Sequence, residues 1–409
     1  VALIEAADDD VKGDKIALVS DGTTLTRTEL RARALRVART LRSCGVDAER
    51  RVAIHLHRGI DSVVALLGVL FAGGVHVPLD REQPASRLSA MLEAIEPAIL
   101  ITDADQAERD GLPALGQLAC TATLADLEAA PSPVATAKPL PPDRLAYAIH
   151  TSGSTGLPKA VGVSAAALGA HVHACVAAYG LGPADRVLQF ASHAVDPSLE
   201  QLLGALAAGA TVVLRGSTTL LPESLVALLC EQRITVADVP TAYWNAWAAD
   251  DFSALRDLPS LRLLIIGGEG APAASLPYRP LPFVWINAYG PTETTITAAQ
   301  WRVEAGEDAR ATLARGHTGL AAPWLPIGRP TAGTRLAVLD AAGRPVPVGV
   351  PGEIHLGGQR LARGYIGQPA LTAERFRPDP AGEPGARLYR TGDLGRLRED
   401  GQFEFLGRI

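Results

Sequence analysis

Between Leu25 and Asn287 the chain alternates short apolar runs with stretches of helical periodicity, and this alternation restricts the fold more than any other feature. Leu30, Ala34, Val37, Ala38 and Leu41 recur at helical spacing, and Gly45 follows as a stop signal. Residues 51–57 read as a strand and residues 60–71 as a helix. Further strands are expected at 98–102, 145–150, 186–190, 211–214, 261–266 and 283–287, with helices between most of them. Such alternation favours parallel sheets covered on both faces. The expectation is an α/β protein with two packed lobes of mostly parallel sheets over residues 1–325. Residues 131–142, rich in Pro and Ala, read as a linker or surface connection.

After Pro326 the pattern changes. Short strand-like runs at 335–340, 353–356, 388–390 and 395–398 are separated by Gly and Pro. Asp400-Gly401 lies between two such runs, a strong hairpin signal. Residues 326–409 are therefore expected to form a small, distorted β-barrel subdomain packed on the α/β body.

A chain that is 47% hydrophobic over 409 residues can bury a large core. Its net charge of -6, without basic clusters, argues against a nucleic-acid or membrane-surface partner and favours small ligands. Cys44, Cys120, Cys175 and Cys230 are far apart and form no CxxC pair, as in a reduced cytoplasmic chain. No signal peptide opens the sequence. The most apolar run, Val63 to Leu79, is broken by Gly73, Gly74, His76 and Pro78, so a buried helix followed by a strand is expected there, not a membrane span.

The most informative string is Tyr147-Ala-Ile-His-Thr-Ser-Gly-Ser-Thr-Gly-Leu-Pro-Lys159. A strand ends near His150, and Thr151, Ser152, Gly153, Ser154, Thr155 and Gly156 follow. Glycines let backbone N–H groups turn toward an anion, and hydroxyls add donors. Lys159 adds a point charge for a phosphate. The loop is not a Walker loop, because its lysine neither follows a glycine nor precedes Ser or Thr. Taken alone, it still admits a polar surface loop as the lesser reading.

Five other strings accompany it in order: Leu25-Thr-Arg-Thr-Glu-Leu30, Leu70-Phe-Ala-Gly-Gly-Val-His-Val-Pro-Leu-Asp80, Asn287-Ala-Tyr-Gly-Pro-Thr-Glu293, Gly352-Glu-Ile-His-Leu-Gly-Gly with Leu361-Ala-Arg-Gly-Tyr365, and Tyr389-Arg-Thr-Gly-Asp-Leu394. Together they resemble the core motifs of the adenylation domains of nonribosomal peptide synthetases, within the adenylate-forming group that includes acyl-CoA synthetases and luciferases. The resemblance covers essentially the whole chain. It implies an ATP-dependent ligase that joins a carboxylate to AMP, releases pyrophosphate, and passes the acyl group to a phosphopantetheine thiol on a carrier domain. Thr151 to Gly156 and Lys159 would hold the phosphates. Tyr289 would stack on adenine and Asn287 would bind its amino edge, with Gly268 and Glu269 beside them. Thr292 would contact the α-phosphate, and Glu293 would hold Mg²⁺, as suits a carboxylate facing phosphate oxygens. Asp393 would accept from the ribose hydroxyls, near Arg408. Ala160 departs from the family, which usually has Gly after the lysine.

The same resemblance places Asp196 at the substrate α-ammonium, which favours an amino acid over an aryl or fatty acid. Asp196-Pro197 also reads as a helix N-cap with Pro at N1, and both readings can hold at once. Matched by motif, the other pocket positions are Pro197, Glu200, Ile265, Gly267, Ala288, Ile296 and Thr297, plus Ala237 or, one residue on, Asp238. A buried carboxylate without a partner is expensive. Glu200, with Asp238 as a second candidate, would therefore meet a cationic substrate side chain, arginine or lysine ahead of ornithine, unless Glu200 instead faces amides, water or a protein partner. Val195 stands where the family usually has Phe, with His193 two residues earlier. The chain ends at Leu406-Gly-Arg-Ile409, where the family's hinge to a C-terminal lid begins. That lid carries a lysine used in adenylation, so the expectation is an excised core that binds ATP and turns over slowly. The competing readings are an acyl- or aryl-CoA ligase and a nucleotide-binding scaffold without turnover.

Overall fold

The computed structural model describes residues 14–103, 120–129, 140–152, 158–216, 220–315 and 323–409. Gly153, Ser154, Thr155, Gly156 and most of the expected 131–142 connection lie outside the described residues.

Two sheets carry the fold. The first has the order Gly364–Tyr365, Pro158–Ser164, Leu145–Ser152, Val75–Pro78, Arg51–His55, Ile99–Thr102, Cys120–Ala122. Its pairings are parallel from Leu145–Ser152 onward and antiparallel at the end that carries Pro158–Ser164. The second runs Thr334–Leu339, Gly352–Gly358, Arg387–Leu397, Phe403–Arg408, Pro326–Pro330, Ala299–Val303, Val284–Tyr289, Leu263–Gly267, Val236–Pro240, Arg186–Gln189, Thr211–Leu214, Ile16–Ser20, Thr23–Thr26. It is parallel from Val284–Tyr289 through Ile16–Ser20. From Ala299–Val303 to Thr334–Leu339 it is antiparallel, and this part holds the late β region.

Alternation along the strands sorts side chains into layers. Val52, Ile54, Ile99 and Ile101 of the first sheet share a core with Val187, Val212, Leu263 and Ile265 of the second. The helices Arg27–Ser43, Ile60–Ala72, Ala165–Tyr179 and Pro197–Ala207 contribute to that shared core and fill the space between the sheets. The intervening residues face outward: Ala53 and Leu100 pack with the helix Ala85–Ile95, and Leu188, Leu264 and Ile266 pack with Pro222–Glu231 and Thr241–Ala248. This is the covered parallel sheet that the strand–helix alternation requires.

Local signals act where the sequence places them. Thr26 caps Arg27–Ser43 in a reciprocal capping box with Glu29, and all five residues of the expected apolar face are buried. The apolar run from Val63 ends its helix at Ala72 and resumes as the strand Val75–Pro78. The runs at 388–390 and 395–398 differ from expectation: they belong to one strand, Arg387–Leu397. Gly392 adopts φ 75° and the register shifts between Leu394 and Gly395, so glycines that read as strand ends are absorbed as a bulge. Gly401, at φ 76°, follows Asp400 in the hairpin to Phe403–Arg408.

The outer core of the second sheet centres on Trp244, which is fully buried. Its ring centroid lies 4.4 Å from that of Phe252 and 4.5 Å from that of Trp285. Its indole N–H donates to Ser275 Oγ at 2.8 Å. Trp244→Ala should cost about 3–5 kcal/mol in urea unfolding followed by circular dichroism. A loss below about 1 kcal/mol, the range of ordinary surface changes, would contradict this packing.

Candidate active site

The strands Val236–Pro240, Leu263–Gly267 and Val284–Tyr289 lie side by side and parallel, so their C-terminal ends open onto one crevice. Two adjoining cavities occupy it. One, of about 280 Å³, is lined among others by Glu269, Asn287, Tyr289, Trp324, Asp393 and Arg408. The other, of about 440 Å³, is lined among others by Phe190, Asp196, Asp238, Ile265, Ile296 and Thr297. Gly268, Glu269, Ala288, Tyr289 and Gly290 line both. Thr241 pins part of the shared wall, its hydroxyl donating to the carbonyls of Gly267 and Glu269 at 3.2 and 3.1 Å.

The first cavity gathers the residues expected around a nucleotide. Asn287 is buried and its Nδ2 donates to the Pro326 carbonyl at 2.8 Å, which fixes the amide plane. Tyr289 donates its hydroxyl to Asp393 Oδ2 at 2.5 Å. Arg408, the register partner of Asp393, donates to Oδ1 at 2.6 Å. A carboxylate has about four acceptor sites, so Asp393 keeps capacity for further donors. Burial raises the Tyr289 hydroxyl well above its ordinary range, with the Asp393 charge adding to the effect.

Thr292 and Glu293 follow on a short 3-10 turn. Gly290 makes that turn possible: a Cβ there would lie 1.8 Å from the Ile296 carbonyl oxygen. Thr295 and Ile296 then adopt φ 60° and 67°, costly for non-glycine residues and steepest for β-branched ones. The turn is held from outside. The Glu293 carbonyl accepts from Ala362 N at 2.9 Å, and Tyr365 donates to Glu293 Oε1 at 2.6 Å. Lys159 Nζ lies 5.6 Å from the centroid of the same Tyr365 ring. Tyr365 sits on the strand paired with Pro158–Ser164, so one short edge pairing places Lys159 and Glu293 against the same tyrosine. Thr151 is the register partner of Lys159 at the base of the hairpin that spans the phosphate string. Ser152 ends its strand. The role of Tyr365 is invisible in the sequence, although it stands inside a motif. Among the described residues no cluster of three His, Cys, Asp or Glu side chains offers a metal cage. Mg²⁺ needs no such cage, since one or two carboxylates together with substrate phosphates hold it.

In the second cavity Asp196 directly precedes the helix Pro197–Ala207, and Pro197 occupies N1. The expected side-chain cap is absent: the carboxylate makes no capping hydrogen bond. It lies within hydrogen-bonding reach of Thr292, and its Oδ2 is buried with no partner. Burial pushes Asp196 up to about 7. Asp238 is held by Gln201, whose Nε2 donates to Oδ2 at 2.9 Å, and burial together with the Glu200 charge pushes it up to about 7. Pro197, Ile265, Gly267, Ala288, Ile296 and Thr297 line this cavity as expected.

Two expectations are corrected. Ala237 is fully buried in the outer core, because residues on a strand alternate and its neighbour Asp238 takes the cavity face. Asp238 and Ile265 are register partners that line the cavity, whereas Ala237 pairs with the core residue Leu264. Glu200 does not line the cavity. It turns toward Ala165–Tyr179, where Tyr179 donates to Oε1 at 2.7 Å and His171 Nε2 lies 2.8 Å from Oε2. Sequence reasoning missed Gln201 and Phe190. Gln201 stands four residues after Pro197, on the same helix stripe, which is the signal that could have found it. Val195 lines the cavity without an aromatic ring, and His193 faces a smaller cavity with His76.

The raised carboxylates have a consequence for stability. An unfolded Asp ionises near about pH 4, whereas Asp238 holds its proton to about 7. With the folded value above the unfolded one, the stabilisation is complete at low pH and is lost as pH rises through 7. Asp238→Asn has no proton to lose. Its Tm relative to the unsubstituted protein should rise from about pH 4 to about pH 7 and then level off, as read by thermal unfolding without ligand. A pH-independent difference would contradict the burial of an ionisable Asp238.

A family model described as "AMP-binding enzyme" matches residues 5–366. The chain is 41% identical over 400 residues to a linear gramicidin synthase protein of Brevibacillus parabrevis, covering 97% of this chain and 5% of that protein. It is 40% identical over 410 residues to phosphinothricin tripeptide synthetase PhsC of Streptomyces viridochromogenes, covering 97% of this chain and 34% of that protein. The chain thus spans a small part of these relatives. Among solved structures, the NpsA N-terminal subdomain of Klebsiella oxytoca in complex with 3-hydroxybenzoyl-AMSN superimposes with a TM-score of 0.84 at 21% identity, over 100% of this chain and 99% of that one, a likeness of fold. The nonribosomal peptide synthetase FmoA3 gives a TM-score of 0.84 at 29% identity, over 99% of this chain and 42% of that one. With a family model matching residues 5–366 and this likeness over nearly its whole length, the chain belongs to the AMP-binding enzyme family, as an adenylate-forming ligase domain of the kind found in nonribosomal peptide synthetases.

Proposed function

We propose that this domain activates an L-amino acid with a cationic side chain, lysine or arginine, as the aminoacyl adenylate. The observation that carries the reading is the pair of carboxylates in the second cavity. Asp196 lines the cavity and has one buried oxygen, Oδ2, without a partner, which suits an α-ammonium. Asp238 stands on another wall and is costly to ionise without a cation. Arg215 also lines the cavity, stacked 4.7 Å over the Phe190 ring, but three acids, Asp196, Asp238 and Glu269, outnumber it. A substrate with two cationic groups would draw the protons from both aspartates.

ATP would occupy the first cavity, with Tyr289 on adenine, Asp393 at the ribose, and Lys159 with Thr151 to Gly156 at the phosphates. Thr292 lies within hydrogen-bonding reach of Asp196 on the second cavity's wall, so the two would hold the α-phosphate and the ammonium on either side of the carboxylate that attacks. Alignment of this kind accounts for much of the rate in a transfer where charge only has to be spread. Mg²⁺, bound at Glu293, would offset charge on the phosphate oxygens. The acyl group would then pass to a phosphopantetheine thiol of a carrier protein. One structural neighbour is an artificially fused adenylation–PCP di-domain, which supports a carrier as partner. An acyl- or aryl-acid ligase is the alternative, and the partnerless oxygen of Asp196 disfavours it, since such a substrate brings no cation. No described helix is long and apolar enough to cross a membrane.

The test is amino-acid-dependent ATP–pyrophosphate exchange. Lysine or arginine should be preferred over leucine and over 3-hydroxybenzoate. Asp238→Asn should lose about 2–5 kcal/mol of that preference, as for a broken buried charge pair. A preference for an apolar amino acid, or basic-substrate activity unchanged in Asp238→Asn, would refute the side-chain assignment. Exchange with aryl acids alone would refute the amino-acid reading.

A further inference from the structure

Behind the second cavity lies a buried polar chain that none of the site chemistry uses. Glu200, His171 and Arg360 are 4%, 1% and 2% exposed. Arg360 Nη1 lies 3.0 Å from His171 Nδ1. A guanidinium N–H only donates, so Nδ1 must accept. The ring proton then sits on Nε2, which lies 2.8 Å from Glu200 Oε2. An imidazole without net charge thus stands between a cation and an anion, and Tyr179 donates to Oε1, with the Thr297 side chain also within hydrogen-bonding reach of Glu200.

Arg360 also reaches the opposite wall of the cavity. Its guanidinium donates to the hydroxyls of Thr331 and Thr334. Thr331 Oγ1 in turn donates to the carbonyls of Thr297 and Ala298. The Arg360 carbonyl accepts from the Thr295 hydroxyl, inside the segment with positive φ. One residue therefore holds the helix that starts at Asp196, through His171 and Glu200, and the turn that presents Ile296 and Thr297.

We propose that Arg360 is a positioning residue of the amino-acid cavity: through His171 it neutralises Glu200, and through Thr331 it fixes the Ile296–Thr297 wall. The inference rests on the amino-acid reading of that cavity. A buried carboxylate stripped of its cation is strongly unfavourable, whereas removing both charges together is far less so. Loss of Arg360 should thus distort the amino-acid cavity and spare the nucleotide cavity, whose residues Asn287, Tyr289 and Asp393 it does not hold. Removing the Glu200 charge as well should restore part of the fit.

The experiment is calorimetric binding of L-lysine, L-arginine and ATP to the chain and its variants, with a urea-unfolding cycle on the same proteins. Arg360→Met should weaken binding of the preferred amino acid by about tenfold or more and leave ATP affinity within about twofold. Arg360→Lys should fall between Arg360→Met and the unsubstituted chain. Glu200→Gln placed in the Arg360→Met background should recover much of the loss, and the two substitutions should be non-additive in urea. Equal losses for both ligands, no loss for either, or an additive urea cycle would overturn the proposal. An unsubstituted chain that binds ATP but neither amino acid would instead refute the reading of the cavity, and the urea cycle would still decide the Arg360–Glu200 link.

Discussion

The contact between Gly290 and the carbonyl of Ile296 organises the site. The chain leaves the strand Val284–Tyr289, turns through Pro291 to Thr294 and comes back so closely that no side chain fits at Gly290. Thr295 and Ile296 accept left-handed backbone to achieve it. In return, Tyr289, which lines both cavities, and Ile296 and Thr297, which line the second, stand within nine residues of one another, with Thr292 and Glu293 on the turn between them. Strain of this kind, of order 1–3 kcal/mol per residue, persists only where the surroundings over-determine the conformation. Here Ala362, Tyr365 and Arg360 supply that restraint from the β region.

The late β strands are therefore more than an appendage. They continue the second sheet, and one short piece, Gly364–Tyr365, crosses to pair with the first. Through that crossing Lys159 of one sheet and the carboxylate of Glu293, on the turn that follows a strand of the other, share the Tyr365 ring and hydroxyl. The chemistry is assembled from both sheets, and the packed helices between them set the distance.

Much of this was legible in the sequence. The strands 211–214 and 51–57, the face from Leu30 to Leu41 and the hairpin at Asp400-Gly401 follow from period and turn chemistry, which are local. The motif residues Asn287, Tyr289, Glu293 and Asp393 were also legible, because each string carries its own context. Glu200 was not. It lies one residue before Gln201 on a helix that turns about 100° per residue, enough to move a side chain from cavity to interhelical core. Its partners, His171 and Tyr179 on one side and Arg360 beyond, are distant in sequence, and no periodicity announces a long-range pair. Ala237 and Asp238 illustrate the same limit on a strand, where a slip of one residue exchanges core for cavity.

The wall made by Gly268, Glu269 and Ala288 is common to the two cavities, and Thr241 ties part of it to the layer beneath. A ligand that shifts this partition changes the volume available on its far side. Linkage makes such an effect mutual: whatever free energy a ligand in one cavity contributes toward affinity in the other, the second ligand returns to the first. The order in which the two substrates arrive can thus alter the path of assembly but not the stability of the ternary complex.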